Sequence, residues 1–320
     1  MENTRVPLLL LLLSLLATGC GGGSSSNSTS PQTPSTPPAN VTVPEVGHVV
    51  IVLEENHSYS SVIGNPVMPF FNSLASKGGV ATNYFANFHP SIGNYFMLTT
   101  GQMITSDDNY TGTVDVDNIV RELLLTGKTW KSYAEDLPSV GYTGGDTNFY
   151  LKHHNPFAYL SDVVNSSVQV NNLVPFSPNL ATDLTNNHLP NFSFIIPNSI
   201  HSAHNCDPSS TSCTDADELG AADKWLQVNL QPLLSAPAFQ KDGLLIIVFD
   251  ESFNDGPQLD NQHGGGHVAL VMVGPKVNSG FQSKTFYQHQ STLRLLVETT
   301  GAKALPGAAS TAPDMGEFFK

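Results

Sequence analysis

Positive charge is scarce in this chain: 13 lysines and arginines face 27 aspartates and glutamates in 320 residues, a formal net charge of −14. That balance argues against a nucleic-acid binder relying on a basic face, and an anionic substrate would have to find its counter-charge locally, for instance in a bound cation. Charged residues make up only 12% of the chain and hydrophobic ones 40%, enough to bury a large core. One catalytic domain is expected. Only 3 cysteines are present, too few for a multi-thiol metal module or a disulfide-dense scaffold. The apolar run from Leu8 to Leu16, about ten residues, is too short to span a bilayer. It reads instead as the core of a signal peptide.

The ending Leu16-Ala17-Thr18-Gly19-Cys20 resembles a bacterial lipobox, in which the cysteine becomes the lipidated first residue. Residues 1–20 are therefore expected to be a lipoprotein signal peptide with lipidated Cys20, the alternative being an ordinarily cleaved secreted protein. Residues 21–43 are almost entirely Gly, Ser, Thr, Pro, Asn and Gln and are expected to form a disordered tether. Residues 44–320 are left for the catalytic domain. The expected location is the bacterial cell envelope, periplasmic or outer-membrane, with membrane contact through the lipid anchor only. In that oxidising compartment Cys206 and Cys213 are expected to close a small disulfide loop.

From residue 44 onward strand-like and helix-like stretches alternate, which predicts an α/β fold. Strands are expected at 48–54, 79–83, 129–133, 192–197, 244–250 and 268–273. Helices are expected at 70–76, 95–100, 117–127, 218–234 and 288–299. The Gly-, Asn-, His- and Pro-rich stretch 137–190 reads mostly as loop or inserted cap.

Two of the strand patterns run straight into acidic pairs: His48-Val-Val-Ile-Val-Leu-Glu54-Glu55-Asn56, and Leu244-Leu-Ile-Ile-Val-Phe-Asp250-Glu251. Continuous β-branched and aliphatic runs mark strands covered on both faces, and ligands in open α/β sheets bind beyond the carboxyl ends of such strands. Neighbouring strands would bring up to four carboxylates together, a cluster that a cation keeps ionised. Ser91, within His89-Pro90-Ser91-Ile92-Gly93-Asn94, stands where a helix could begin; it is either an N-cap or a nucleophile activated by a base or metal. His89, His154, His204, His263 and His267 lie in Gly-, Asn- or Pro-rich segments, which suits phosphate binding, proton transfer or ligation. His289 lies in a helix pattern and is expected to be structural.

Taken in order, His48–Ser58, His89–Tyr95, Lys152-His-His-Asn-Pro-Phe157, Phe194-Ile-Ile-Pro-Asn198, Val248-Phe-Asp-Glu251 and His263-Gly-Gly-Gly-His267 resemble the bacterial phosphoesterase family of acid phosphatases and phospholipases C. The resemblance implies an alkaline phosphatase-like three-layer α/β/α sandwich with a largely parallel central sheet. It also implies a phosphatase that uses Ser91 as nucleophile through a phosphoserine intermediate. Glu55, Asn56, Asp250 and Glu251 would hold one divalent cation, Ca²⁺, Mg²⁺, Mn²⁺ or Zn²⁺. His154, His204 and His263 would bind phosphate or protonate the leaving oxygen, and His89, Asn94 and His267 would contact the substrate. At this length the chain is expected to lack the extra C-terminal domains of the larger phospholipases C. That favours phosphomonoesters over phospholipid diesters. The competing readings are a phospholipase C-like phosphodiesterase, a metal-independent serine esterase built on Ser91, Asp250 and His263, and a non-catalytic surface lipoprotein.

Overall fold

Seven successive residues from His48 to Glu54, five of them Val, Ile or Leu, form the strand β1 (His48–Glu54), buried along nearly its whole length. The computed structural model describes residues 42–253 and 258–320. The expected signal peptide with Cys20 and nearly all of the expected tether therefore lie outside the described residues. After β1 come α1 (Tyr59–Val62), α2 (Pro69–Lys77), β2 (Gly79–Ala81), β3 (Tyr84–Phe85), α3 (Ile92–Thr100), α4 (Ile119–Leu125) and β4 (Trp130–Ala134). The chain continues through α5 (Ser161–Val164), β5 (Leu173–Pro175), α6 (Phe176–Thr185) and β6 (Phe192–Ile196). It then forms α7 (Asp215–Ser235), α8 (Pro237–Asp242), β7 (Gly243–Phe249), β8 (Leu270–Val273), β9 (Phe281–Ser283), β10 (Tyr287–Gln288) and α9 (His289–Thr300).

Eight strands make one sheet in the order β5-β4-β6-β1-β7-β8-β2-β9. All neighbours are parallel except β8, which runs antiparallel to both β7 and β2. The architecture is the expected α/β sandwich with a mostly parallel sheet. Helices α3 and α4 pack with α9, which reaches β1, while α2 packs with α7, and α8 lies against β7. β1 sits between β6 and β7, and the β1–β7 register sets Glu54 beside Phe249. One step further along both strands are Glu55 and Asp250.

Stretch 137–190 departs from the loop-or-cap reading. It supplies an edge strand, β5, paired with β4, and the ten-residue helix α6, beside short helical turns. One local device shows how the layers are tied. No side chain of its own segment caps the start of α2; Asp223 of α7 accepts the Phe70 and Phe71 N–H groups at 3.0 and 2.7 Å instead.

Candidate active site

Glu55 and Asp250 leave adjacent parallel strands at the same level, so the register alone brings them together. The Asp250 N–H donates to the Glu54 carbonyl at 2.9 Å, and Asp250 Oδ1 accepts the N–H groups of Asn56 at 3.3 Å and Glu251 at 2.6 Å. Asn56 adopts a left-handed conformation, φ 52°, a geometry asparagine tolerates better than most residues. This turn points successive side chains to different sides. Glu54 faces away from its neighbour: its carboxyl is held well above the ordinary range by burial, then by Asp223 and Glu135, groups of the α7 side. The acidic residues converging at the strand ends are therefore Glu55, Asp250 and Glu251, and the alternation of side chains along a strand is the reason Glu54 is not among them.

Ser91 immediately precedes α3, yet its hydroxyl does not cap the helix; it donates to Glu55 Oε2 at 3.1 Å. One turn later on the same helical face, the Tyr95 hydroxyl donates to Glu55 Oε1. His154 Nδ1 lies 3.4 Å from that same oxygen, its ring stacked on Tyr95, and the His204 ring centroid is 5.4 Å from that of His154. Glu55, His154 and His204 each offer an atom within 4.8 Å of the others. Burial pushes Glu55 well above the usual carboxylate range, and Asp250 and Glu251 add to this. Burial raises Asp250 as well. Burial, followed by His153 and His204, holds His154 far below its usual value, so its ring is neutral and offers a lone pair.

His89 and Asn94 hold the segment that carries Ser91. Burial alone would lower His89, but its approach to Glu251 Oε2 at 3.2 Å and its bond from Nε2 to the Asp260 carbonyl at 3.1 Å hold it above its usual value. Asn94 is fully buried. Its Oδ1 accepts the N–H groups of Asn87 and Phe88, and its Nδ2 donates to the Phe88 carbonyl and to Glu251.

His263 and His267 are placed differently. The His263 ring packs against Phe85 and Phe286, and His267 stacks between Tyr59 and Phe85 with Nε2 donating to the Thr82 carbonyl. The three glycines between them serve a backbone approach, but the partner is protein: a Cβ on Gly264 would stand 2.0 Å from the Asn87 carbonyl oxygen, and one on Gly265 2.5 Å from that of Phe88. Cys206 and Cys213 are joined by a disulfide on the segment that follows His204.

Sequence reasoning missed Tyr95 and the wiring of His289. The first was detectable, because Ser91 and Tyr95 are four residues apart at the start of a helix. His289 begins α9 and is fully buried, with Nε2 donating to the Asp250 carbonyl and Nδ1 accepting from the Tyr84 hydroxyl at 2.9 Å. Only the tertiary structure shows that contact.

The site's donor set fits a divalent cation. Asn56 Oδ1 and Asp250 Oδ2 are buried without a hydrogen-bond partner, as are His154 Nε2 and His204 Nδ1. Among the described residues, neither Glu55 nor Asp250 has a lysine or arginine partner. Hard oxygens in a buried, negatively charged pocket suit Ca²⁺, Mg²⁺ or Mn²⁺, and the two imidazoles extend the range to Zn²⁺.

Comparison with known proteins identifies the family. The sequence pattern described as "Phosphoesterase family" matches residues 65–301. The chain is 31% identical over 281 residues to the phosphatidylinositol-3-phosphatase of Mycobacterium tuberculosis, covering 87% of this chain and 84% of that protein. It is 30% identical over 284 residues to an acid phosphatase of Aspergillus fumigatus, covering 85% of this chain but 59% of the fungal protein. A Vibrio parahaemolyticus protein of the alkaline phosphatase superfamily superposes with a TM-score of 0.59 at 16% identity, over 84% of this chain and 70% of that one. At that identity the likeness is one of fold.

Proposed function

We propose, from the premise that the chain belongs to the Phosphoesterase family and is a hydrolase of phosphoric ester bonds, that it is a metal-dependent phosphomonoesterase with Ser91 as nucleophile. The observation that carries this reading is the Ser91 hydroxyl, which stands at a helix start without capping it and is turned 3.1 Å from Glu55 at the centre of the acidic cluster. Ser91 Oγ attacks phosphorus, its proton passes to the carboxylate side of the pocket, and the ester P–O bond breaks. The substrate oxygen takes up that proton and departs as the alcohol. Water then attacks the phosphoserine, releasing phosphate and restoring the hydroxyl. Glu55, Asn56, Asp250 and Glu251, with His154 and His204 in reach of Glu55, would hold the divalent cation. Bound there, it would neutralise the substrate's oxygens and favour the serine alkoxide, the two demands of phosphoryl transfer that an acidic pocket cannot meet alone.

The Mycobacterium relative is named for a phosphorylated lipid, so a phosphoinositide monoester is the first natural substrate class to test. A cell-envelope location with Cys20 as lipid anchor would place such substrates within reach. Among the described residues no helix is long and apolar enough to cross a membrane. The esterase reading gains no support from the site: Asp250 Oδ1 accepts backbone N–H groups, and His263 packs on Phe85 and Phe286.

The test is hydrolysis of p-nitrophenyl phosphate, bis-p-nitrophenyl phosphate and phosphatidylinositol 3-phosphate vesicles by the full chain, with and without EDTA and metal add-back. Monoester cleavage that EDTA abolishes and a divalent cation restores is expected. Ser91→Ala should lower turnover by about 10³-fold or more while leaving the thermal midpoint in place. Appreciable turnover by a folded Ser91→Ala protein would sink the nucleophile assignment, and preference for the diester would move the activity to phosphodiesterase.

A further inference from the structure

We infer that His57, Asp215 and Glu218 form a second divalent-cation site, distinct in its ligands from the Ser91 centre and suited to Zn²⁺ or Mn²⁺. The three side chains come from the turn after β1 and the first turn of α7, and each offers a ligating atom within 4.8 Å of the others. Proximity of acidic groups alone would not make a site; a buried imidazole nitrogen with no partner, aimed at them, does. His57 is 1% exposed, and its Nδ1 is 2.9 Å from the Glu55 carbonyl oxygen. A carbonyl oxygen only accepts, so Nδ1 carries the hydrogen and donates it. With Nδ1 spent on that bond, Nε2 is the nitrogen left to ligate, which is how a ligating histidine is oriented by its outer hydrogen bond.

That Nε2 is buried with no hydrogen-bond partner. It faces Glu218 Oε2 at 3.8 Å, too far for a hydrogen bond and close enough for two ligands of one ion. The ring cannot easily turn aside, because Phe253 meets it edge-on at 4.8 Å and Phe249 at 6.4 Å. Glu218 lies against the disulfide, its Oε1 3.3 Å from the Cys213 sulfur and 3.7 Å from that of Cys206. Asp215 precedes Glu218 by three residues and so shares its side of the helix. Asp217 is occupied elsewhere, in the capping box with Thr214.

One imidazole nitrogen and two carboxylates select the ion. Zn²⁺ and Mn²⁺ accept nitrogen beside oxygen, whereas Ca²⁺ and Mg²⁺ favour oxygen alone. A cation here would clip the turn carrying Asn56 and His57 to the head of α7.

The experiment counts metal and needs no activity. The full chain, purified without reductant so that the Cys206–Cys213 bond stays closed, is loaded with Zn²⁺ and dialysed, and zinc per chain is measured by elemental mass spectrometry. Glu218→Gln and Asp215→Asn are each expected to lose one zinc per chain relative to wild type with an unchanged near-ultraviolet circular dichroism spectrum, while Asp250→Asn retains that zinc. Wild-type stoichiometry in both variants overturns the site. So does loss confined to a Glu218→Gln protein whose spectrum has collapsed while Asp215→Asn binds normally. If a single zinc binds and only Asp250→Asn removes it, the second site is refuted and the Ser91 centre stands. The opposite pattern keeps the second site and refutes zinc at the Ser91 centre.

Discussion

Replacing His289 by leucine tests how the fold holds Asp250 in place. The histidine is fully buried and spends both nitrogens, donating to the Asp250 carbonyl and accepting from the Tyr84 hydroxyl, which also bonds Thr292 Oγ1 at 2.7 Å. Leucine fills a similar volume but strips one partner from each of two buried polar groups, at about 1–3 kcal/mol each. His289→Leu should therefore lose roughly 2–6 kcal/mol at pH 7, read from urea denaturation followed by circular dichroism. The pH dependence makes the prediction sharper. Burial holds His289 down at about 4 against an ordinary 6.5. The unfolded chain takes up this proton below pH 6.5 and the folded chain only below about 4, so the wild-type contribution is complete above 6.5 and drains away as pH falls between those values. At about 1.4 kcal/mol per pH unit, the stability gap between wild type and variant should shrink by about 3 kcal/mol from pH 7 to pH 4. The buried carboxylates titrate in both proteins and cancel in the difference. A gap below about 1 kcal/mol at pH 7, or one that stays constant down to pH 4, would refute the reasoning.

Other consequences are equally open to measurement. Tyr95→Phe removes a donor from Glu55 Oε1 and should lower activity or metal affinity by about 10–100-fold with little loss of structure, seen in steady-state kinetics and metal titration. Gly264→Ala forces an alanine to φ +107° with its Cβ 2.0 Å from the Asn87 carbonyl oxygen; a loss of about 2–4 kcal/mol is expected in urea melts, with a fall in kcat because Asn87 leads into the Ser91 segment. Asp223→Ala uncaps α2 from across the layer and should cost about 1–2 kcal/mol, an effect that a thermal melt resolves and that would be absent if the two N–H groups found water instead.

The central strands were legible because burial on both faces leaves an uninterrupted apolar run, as in β1 and β7, and because each run ends abruptly in acid. Their adjacency was an assumption that the β1–β7 register supports. Glu54 was illegible in a different way: as a neighbour of Glu55 it reads like part of the same acidic pair, and only the alternation of side chains at the strand end separates them. β5 and α6 were hidden by composition. A three-residue strand next to Ser-Pro-Asn carries no periodicity, and it exists only because β4 offers an edge to pair with. The glycines of His263–His267 announced a close approach but not its partner. The roles of His57 and His289 rest on contacts made by residues far away in sequence.

The distance along the chain between Asn56 and the aspartate that accepts its N–H is 194 residues, and Ser91 lies 36 residues from the glutamate that receives its hydroxyl. No contiguous fragment short of most of the domain can assemble this pocket. Closing such loops is entropically slow and comes after local helices have formed. Recovery of catalysis during refolding should thus lag behind the return of helical signal, so enzyme activity can serve as a clock for the moment the middle of the sheet closes.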